Sequence, residues 1–407
     1  MDGITINRKK VNYIFLLCIL SLDYLYNNFF NVIITRDILL ILLLLLIGVG
    51  FVKFEKFDKQ LYSNRNKKYV FLAWFFALIS SIIPVYNGYQ SYIPTLLAQR
   101  SLLAMSFLLL LLKLGPSEIE IVIILKRLSI ITVILGVISI FFPYLFMDEI
   151  QTAAYEVQSI EGTSDIIHSG IGMIVFTLFF FYRCQKMIED SSLENIIIAS
   201  AMLFYLIIFQ NRSTLLIALP TFLYAFIKMR SGYKIQFIVI GGTFLFIVFY
   251  SYIQTIFINL VEETQTQMAY EGYNRWQAID FFFTERQYGI IEILFGHGVP
   301  SAGSPYLKSL VEASEDRWAF ISDIGLLGVF FYYGLLFLCI LYVPFVFVVL
   351  LRKKNYPFYL KSFALWILCV PTIHCYNLPG STSFVVYYIF MYLVILYKRK
   401  ELKLQSH

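Results

Sequence analysis

Four arginines stand where the other basic residues of this chain are scarce: Arg100, Arg212, Arg275 and Arg286. A guanidinium stays ionised and offers paired donors, which suits phosphate or carboxylate oxygens. Arg212 lies in the turn Gln210-Asn211-Arg212-Ser213, with the Asn211 amide beside it. Arg275 follows Asn274 and precedes Trp276 and Gln277; Asn and Gln three apart make a capping-box pattern. That pattern sets Arg275 in a first helical turn, beside free backbone N–H groups that favour an anion. His297, in Phe295-Gly296-His297-Gly298, is predicted to be an exposed and mobile imidazole. Glu315 and Asp316 precede an apolar run and offer a carboxylate base at a membrane surface. Plainer roles compete at each position: a snorkelling arginine at a lipid interface, an ordinary loop histidine, a solvated helix end.

The elements that must hold these groups are long and apolar. Apolar residues make up 59% of the chain and charged residues 14%, too little charge to cover a soluble fold. Apolar runs of sixteen or more residues recur, each able to cross a hydrocarbon core of roughly 30 Å. Lipid leaves no partner for open backbone groups, so these runs predict helices. The expectation is an all-α integral membrane protein, a single transmembrane domain over 1–407 with about twelve spans. They are placed at 11–29, 37–53, 69–86, 98–114, 128–146, 167–182, 195–210, 213–229, 235–258, 320–350, 359–376 and 383–398. With both termini cytoplasmic, 25 of the 32 Lys and Arg residues fall on the inner side. The remaining seven are Arg36, Arg100, Arg212, Arg275, Arg286, Lys308 and Arg317. The net charge of +6 is then a topology signal and does not call for nucleic acid.

One large outer loop, 260–319, separates spans nine and ten. Within it the pattern predicts a helix from Arg275 to about Tyr288, with Trp276, Ile279 and Phe283 on one face. A glycine- and proline-rich turn follows over Gly296–Pro305, and then a short amphipathic helix over Tyr306–Ser314. Asp23 and Asp323 are carboxylates embedded in spans, best explained by pairing with an outer arginine. His168, His297, His374 and His407 share no ligand spacing, so no metal site is expected. Thirty tyrosines supply interfacial belts, and some suit stacking on pyranose rings.

Three motifs in order resemble the superfamily of O-antigen polymerases and O-antigen ligases, which includes capsule and exopolysaccharide repeat-unit polymerases. Asn211-Arg212-Ser213-Thr214-Leu215-Leu216 is similar to that family's Ser-Arg-small-apolar signature at the start of a span. Asn274-Arg275-Trp276, followed by Phe295-Gly296-His297-Gly298, resembles its Gly-Arg…Trp helix and Phe-Gly-x-Gly turn. Ser322-Asp323-Ile324-Gly325-Leu326-Leu327-Gly328 resembles the Glu-Leu-Gly-Leu-Ile-Gly entry to the next span. The ligases' His-Asn pair before that entry is replaced here by Glu315-Asp316-Arg317-Trp318, which favours a polymerase.

The resemblance implies glycosyl transfer between undecaprenyl-diphosphate-linked oligosaccharides at the outer face of a bacterial inner membrane, with no cofactor and no metal. Arg212 and Arg275 would hold the diphosphate, with Arg100 and Arg286 as weaker cations and Trp276 and Asn211 as further substrate contacts. Asp316 or His297 would activate or orient the acceptor hydroxyl. The lipid bilayer, a chain-length regulator and a flippase are the implied partners. The competing expectations are a ligase that moves glycan to lipid or protein, a lipid-oligosaccharide flippase or transporter, and a membrane scaffold.

Overall fold

A computed structural model describes residues 6–21, 32–54, 61–142, 172–208, 212–230, 274–284, 289–301, 303–317, 321–350, 356–370 and 384–405. The regular structure among these residues is all helical, with no strand. The helices are α1 (Arg8–Ser21), α2 (Val32–Lys53), α3 (Asn64–Tyr86), α4 (Tyr92–Ala98), α5 (Ser106–Leu114), α6 (Glu118–Phe141), α7 (Met173–Glu189) and α8 (Leu193–Ile208). They continue with α9 (Arg212–Lys228), α10 (Asn274–Ile279), α11 (Ile290–Phe295), α12 (Pro305–Arg317), α13 (Leu326–Leu350), α14 (Phe358–Cys369) and α15 (Phe384–Gln405). Three are long and apolar enough to cross a membrane: Asn66–Tyr86, Glu118–Ser139 and Leu326–Leu350. A fourth crossing is available if α4 and Arg100–Leu114, bent by 49° at Gln99, count as one span.

Burial sorts the helices. In α5 every residue from Phe107 to Leu112 is buried, and so is α7 from Met173 to Phe181. In α15 the buried stretch runs from Val385 to Leu393. These helices are apolar all round because they are enclosed all round. By contrast α3 exposes Phe71, Phe75, Leu78 and Ile82, and α2 exposes Ile38, Ile41, Leu45, Val49 and Val52. Each set recurs every three or four residues, an apolar stripe facing outward, as a bilayer requires and water does not.

Polar contacts gather at one end of the bundle around the start of α6. Gly115, with φ 55°, ends α5, and Ser117 caps α6 in a reciprocal capping box with Glu120. Glu120 also accepts from the Asn7 amide at 2.9 Å, with Lys10 at 3.9 Å. Glu118 accepts from the hydroxyls of Tyr359 and Tyr397 and pairs with Lys400 at 3.2 Å. The start of α1, the start of α14 and the end of α15 therefore meet at the start of α6.

The helix expected over 128–146 is thereby corrected. It starts at Glu118 rather than 128, and Lys126 and Arg127 are helical, not loop. Four nearby charges depressed local hydropathy, while the capping box fixed the boundary ten residues earlier. The helical segment expected from 98 begins at Tyr92, which puts Arg100 at a bend rather than at a helix end. The ninth span, expected at 235–258, lies outside the described residues.

Candidate functional site

The opposite end of the bundle is organised by a proline. Pro84 has no N–H, so the Ser80 carbonyl in α3 has no helical donor four residues on. The chain of Gly298 comes in at that point: a Cβ on Gly298 would stand 2.9 Å from the Ser80 oxygen and 2.6 Å from the Pro84 ring. Beyond α3 the turn folds back on its own helix. The amides of Tyr89 and Gln90 both donate to Pro84 O, at 2.9 and 3.3 Å. This delivers the buried Gln90 side chain to the loop after α11. Its amide nitrogen donates to Val299 O at 2.9 Å, and its oxygen accepts from the Ser301 amide at 2.9 Å and the Ser301 hydroxyl at 3.1 Å.

The same loop repairs a break in α13. Gly334 has φ 75° and ψ 179°, so carbonyls just before it lose their helical amides. The amides of His297 and Gly298 replace them, donating to Phe331 O at 2.7 Å and Tyr332 O at 2.9 Å. Ser80 Oγ adds a second donor to Tyr332 O at 2.6 Å. The two backbones touch so closely that only glycine fits on either side. A Cβ on Gly334 would lie 2.4 Å from Leu294 O, and one on Gly296 would lie 2.5 Å from Tyr332 O. Both positions carry positive φ, which glycine alone adopts freely.

His297 is therefore not the exposed, mobile residue its flanking glycines suggest. It is half-buried, its backbone is bonded, and its ring lies 4.7 Å from that of Phe331. Phe331 in turn meets Phe282 at 4.9 Å, in the π-helical turn Asp280–Thr284 that follows α10. The buried residues of the Arg275 segment from Trp276 to Thr284 are Ala278 and Phe282; Trp276 is 62% exposed, and Ile279 and Phe283 are half-buried. Regular α-helix stops at Ile279, and residues 285–288, including Arg286, lie outside the described residues.

After the loop, Ser304 caps α12: its hydroxyl accepts from the Leu307 amide at 3.0 Å, with Pro305 as the first helical residue. Tyr306 and Leu310, one turn apart, are its buried residues among those from Pro305 to Glu312. Helix α12 runs to Arg317, beyond the predicted Ser314, so Glu315 and Asp316 belong to its last turn. Helix α10, with Arg275 in its first turn, packs against α12 and against the 3-10 turn Ile321–Ile324. The segments that bear Arg275 and Asp316 are thus neighbours. Arg212 opens α9, which packs on α7, α8 and α14. Arg212, Arg275 and Asp316 are described by backbone alone, and Asn211 and Asp23 lie outside the described residues. Arg100, at its bend, donates to Leu97 O at 2.8 Å.

Sequence reasoning missed Gln90 and Ser80. The one available signal was Pro84 inside an apolar run, which announces a free carbonyl but not what fills it. Comparison with known proteins returned no match to a family model, to a curated protein or to a solved structure.

Proposed function

We propose that this chain is a polysaccharide polymerase that joins undecaprenyl-diphosphate-linked oligosaccharide repeat units at the outer face of a bacterial inner membrane. Its full form is a bundle of twelve spans, both termini inside, with the outer loop between spans nine and ten. The observation that carries the reading is the order of three motifs, at Arg212, at Arg275 through Gly298, and at Ser322 through Gly328. The rigid seat of Phe295-Gly296-His297-Gly298 against α3 and α13, and the packing of α10 on α12, support it. They give two of those motifs a fixed common frame.

In the reaction, a hydroxyl of the acceptor repeat unit attacks the anomeric carbon of the donor chain. The new glycosidic bond forms as the bond to diphosphate breaks, and undecaprenyl diphosphate departs with the electron pair. Negative charge grows on the leaving diphosphate, and fixed guanidinium groups at Arg212 and Arg275 stabilise it there. Arg100 and Arg286 add positive field, and Asn211 and Trp276 contact substrate. Asp316 or His297 takes or orients the acceptor proton.

Lysine keeps the charge and loses the paired donors. Arg212→Lys and Arg275→Lys are each expected to abolish long polymer while membrane insertion stays normal. The readout is conversion of lipid-linked repeat units into longer chains by purified protein in liposomes. Wild-type chain lengths in either variant would refute the assignment. In a deletion strain, single repeat units still attached to their acceptor mark a polymerase, and their complete absence marks a ligase.

A further inference from the structure

The turn from α3 to α4 reads Tyr86-Asn87-Gly88-Tyr89-Gln90-Ser91-Tyr92, three tyrosines spaced by three with amide, glycine and hydroxyl residues between them. We propose that this turn is a saccharide-binding platform, its tyrosine faces stacking on pyranose rings and its Asn87 and Ser91 side chains bonding the ring hydroxyls. A pyranose presents an apolar C–H face and a polar rim. Tyrosine with interspersed Asn, Ser and Gly answers both at little entropic cost, since each tyrosine has only two side-chain torsions to fix.

Three observations carry this beyond composition. All three tyrosines are open: Tyr86 is 88% exposed, Tyr89 48% and Tyr92 42%, and Asn87, Gly88 and Ser91 are exposed with them. The turn is pre-set, because the amides of Asn87, Gly88, Tyr89 and Gln90 all return to carbonyls of Ile83, Val85 and Pro84. Through Tyr89 and Gln90 it is also built onto the loop after α11 and onto α12, whereas Tyr86 continues the outward stripe of α3 one turn beyond Ile82. Tyr89 stacks on Tyr306 of α12 with ring centres 5.6 Å apart and planes 22° apart, and Gln90 beside it holds Val299 and Ser301. An interfacial belt tyrosine needs none of this. The platform adjoins the loop that carries His297, through the bonds of Gln90 to Val299 and Ser301. The proposal rests on the polymerase reading only for the lipid link of that glycan.

The test uses the full-length protein in phospholipid nanodiscs, with tetranitromethane nitration read residue by residue by mass spectrometry. The probe is the free glycan released by mild acid from lipid-linked oligosaccharides of the cells that make the protein. With phospholipid alone, Tyr86, Tyr89 and Tyr92 nitrate readily. Added glycan is expected to slow Tyr86 and Tyr89 by about fivefold or more. In calorimetry, Tyr86→Ala with Tyr89→Ala weakens glycan binding by about tenfold or more, whereas the paired Phe changes, which keep the ring faces, retain it. Protection by the bilayer alone, unchanged by glycan, would overturn the platform in favour of a belt, as would an alanine pair that binds like wild type. In nanodiscs that also carry the lipid-linked repeat units, glycan protection without any chain elongation sinks the polymerase reading and leaves the platform standing. Elongation without protection does the reverse.

Discussion

The two ends of the bundle are tied by opposite means. At the start of α6, two carboxylates do the work at side-chain reach: Glu120 binds the Asn7 amide, and Glu118 binds two tyrosine hydroxyls and Lys400. At the far end, neutral side chains and bare backbone meet: Gln90 on Val299 and Ser301, Gly296 against Gly334, and two loop amides on the carbonyls of a broken helix. Long side chains adjust to small shifts, so the first end tolerates changes of shape and not of charge. Backbone in contact with backbone has nothing to adjust, so the second tolerates changes of neither shape nor torsion. A loop carrying candidate chemistry gains from the second kind of joint, because positioning errors near 1 Å already cost rate.

The contrast is broken hardest at Gly334. Alanine there meets the strain of a φ 75°, ψ 179° conformation that is essentially confined to glycine, about 1–3 kcal/mol, together with a backbone clash that forces α11 and α13 apart. We expect Gly334→Ala to cost about 3 kcal/mol or more, read as a lowered unfolding midpoint in detergent, with loss of polymer. Gly303→Ala is the control: its φ of 73° is nearly the same, but a Cβ there finds nothing within 4 Å. It should cost only the strain of about 1 kcal/mol. Equal losses in the two variants would mean that the close approach of Gly296 and Gly334 contributes nothing.

Glu118 tests the other end. Glu118→Ala removes an ionised acceptor and leaves Tyr359, Tyr397 and Lys400 without it, a loss of about 2–3 kcal/mol by hydrogen-bond scales for charged groups. Glu118→Gln keeps the shape and an acceptor but removes the charge. If charge governs this end, Gln recovers less than half of the alanine loss. If Gln restores full stability, the distinction between a charge-set end and a shape-set end fails. Neither variant should change the length of polymer made by the proposed activity, because the Phe295–Ser301 loop is anchored at the other end.

Sequence legibility followed the same divide. Helices were readable because crossing lipid demands long apolar runs, whereas the face that α3 turns outward with Phe71, Phe75, Leu78 and Ile82 was not, because such a run is apolar on both sides. The turn at Gly296 and Gly298 was readable because glycine at both positions signals positive φ, and both have it. Ser117-x-x-Glu120 was readable as a capping box and was obscured by the nearby charges, which pulled the expected start of α6 ten residues late. The break at Gly334 was not readable. A glycine in an apolar run is compatible with an intact helix, and only the loop that arrives from Phe295–Gly298 makes a break affordable. Gln90 and Ser80 stayed hidden for the same reason, since their partners lie 209 to 252 residues away along the chain.

The finest test of the comparison uses two adjacent serines of α3, Ser80 and Ser81, both fully buried. Ser81 Oγ donates locally to Leu78 O at 2.6 Å, within its own helix. Ser80 Oγ donates at the same distance to Tyr332 O, across to the broken helix. By hydrogen-bond distance alone the two alanine changes should be equal. By the argument from the break they are not, because the Leu78 carbonyl belongs to a continuous helix whereas Tyr332 O depends on donors from outside its own helix. Gly298 remains as one such donor, so the loss at Ser80 stays small. We expect Ser80→Ala to cost about 1 kcal/mol and Ser81→Ala about half of that or less. The difference should disappear in a Gly334→Ala background, where the break that Ser80 serves is already disrupted. Additive losses in the double variant would show that Ser80 acts independently of the break.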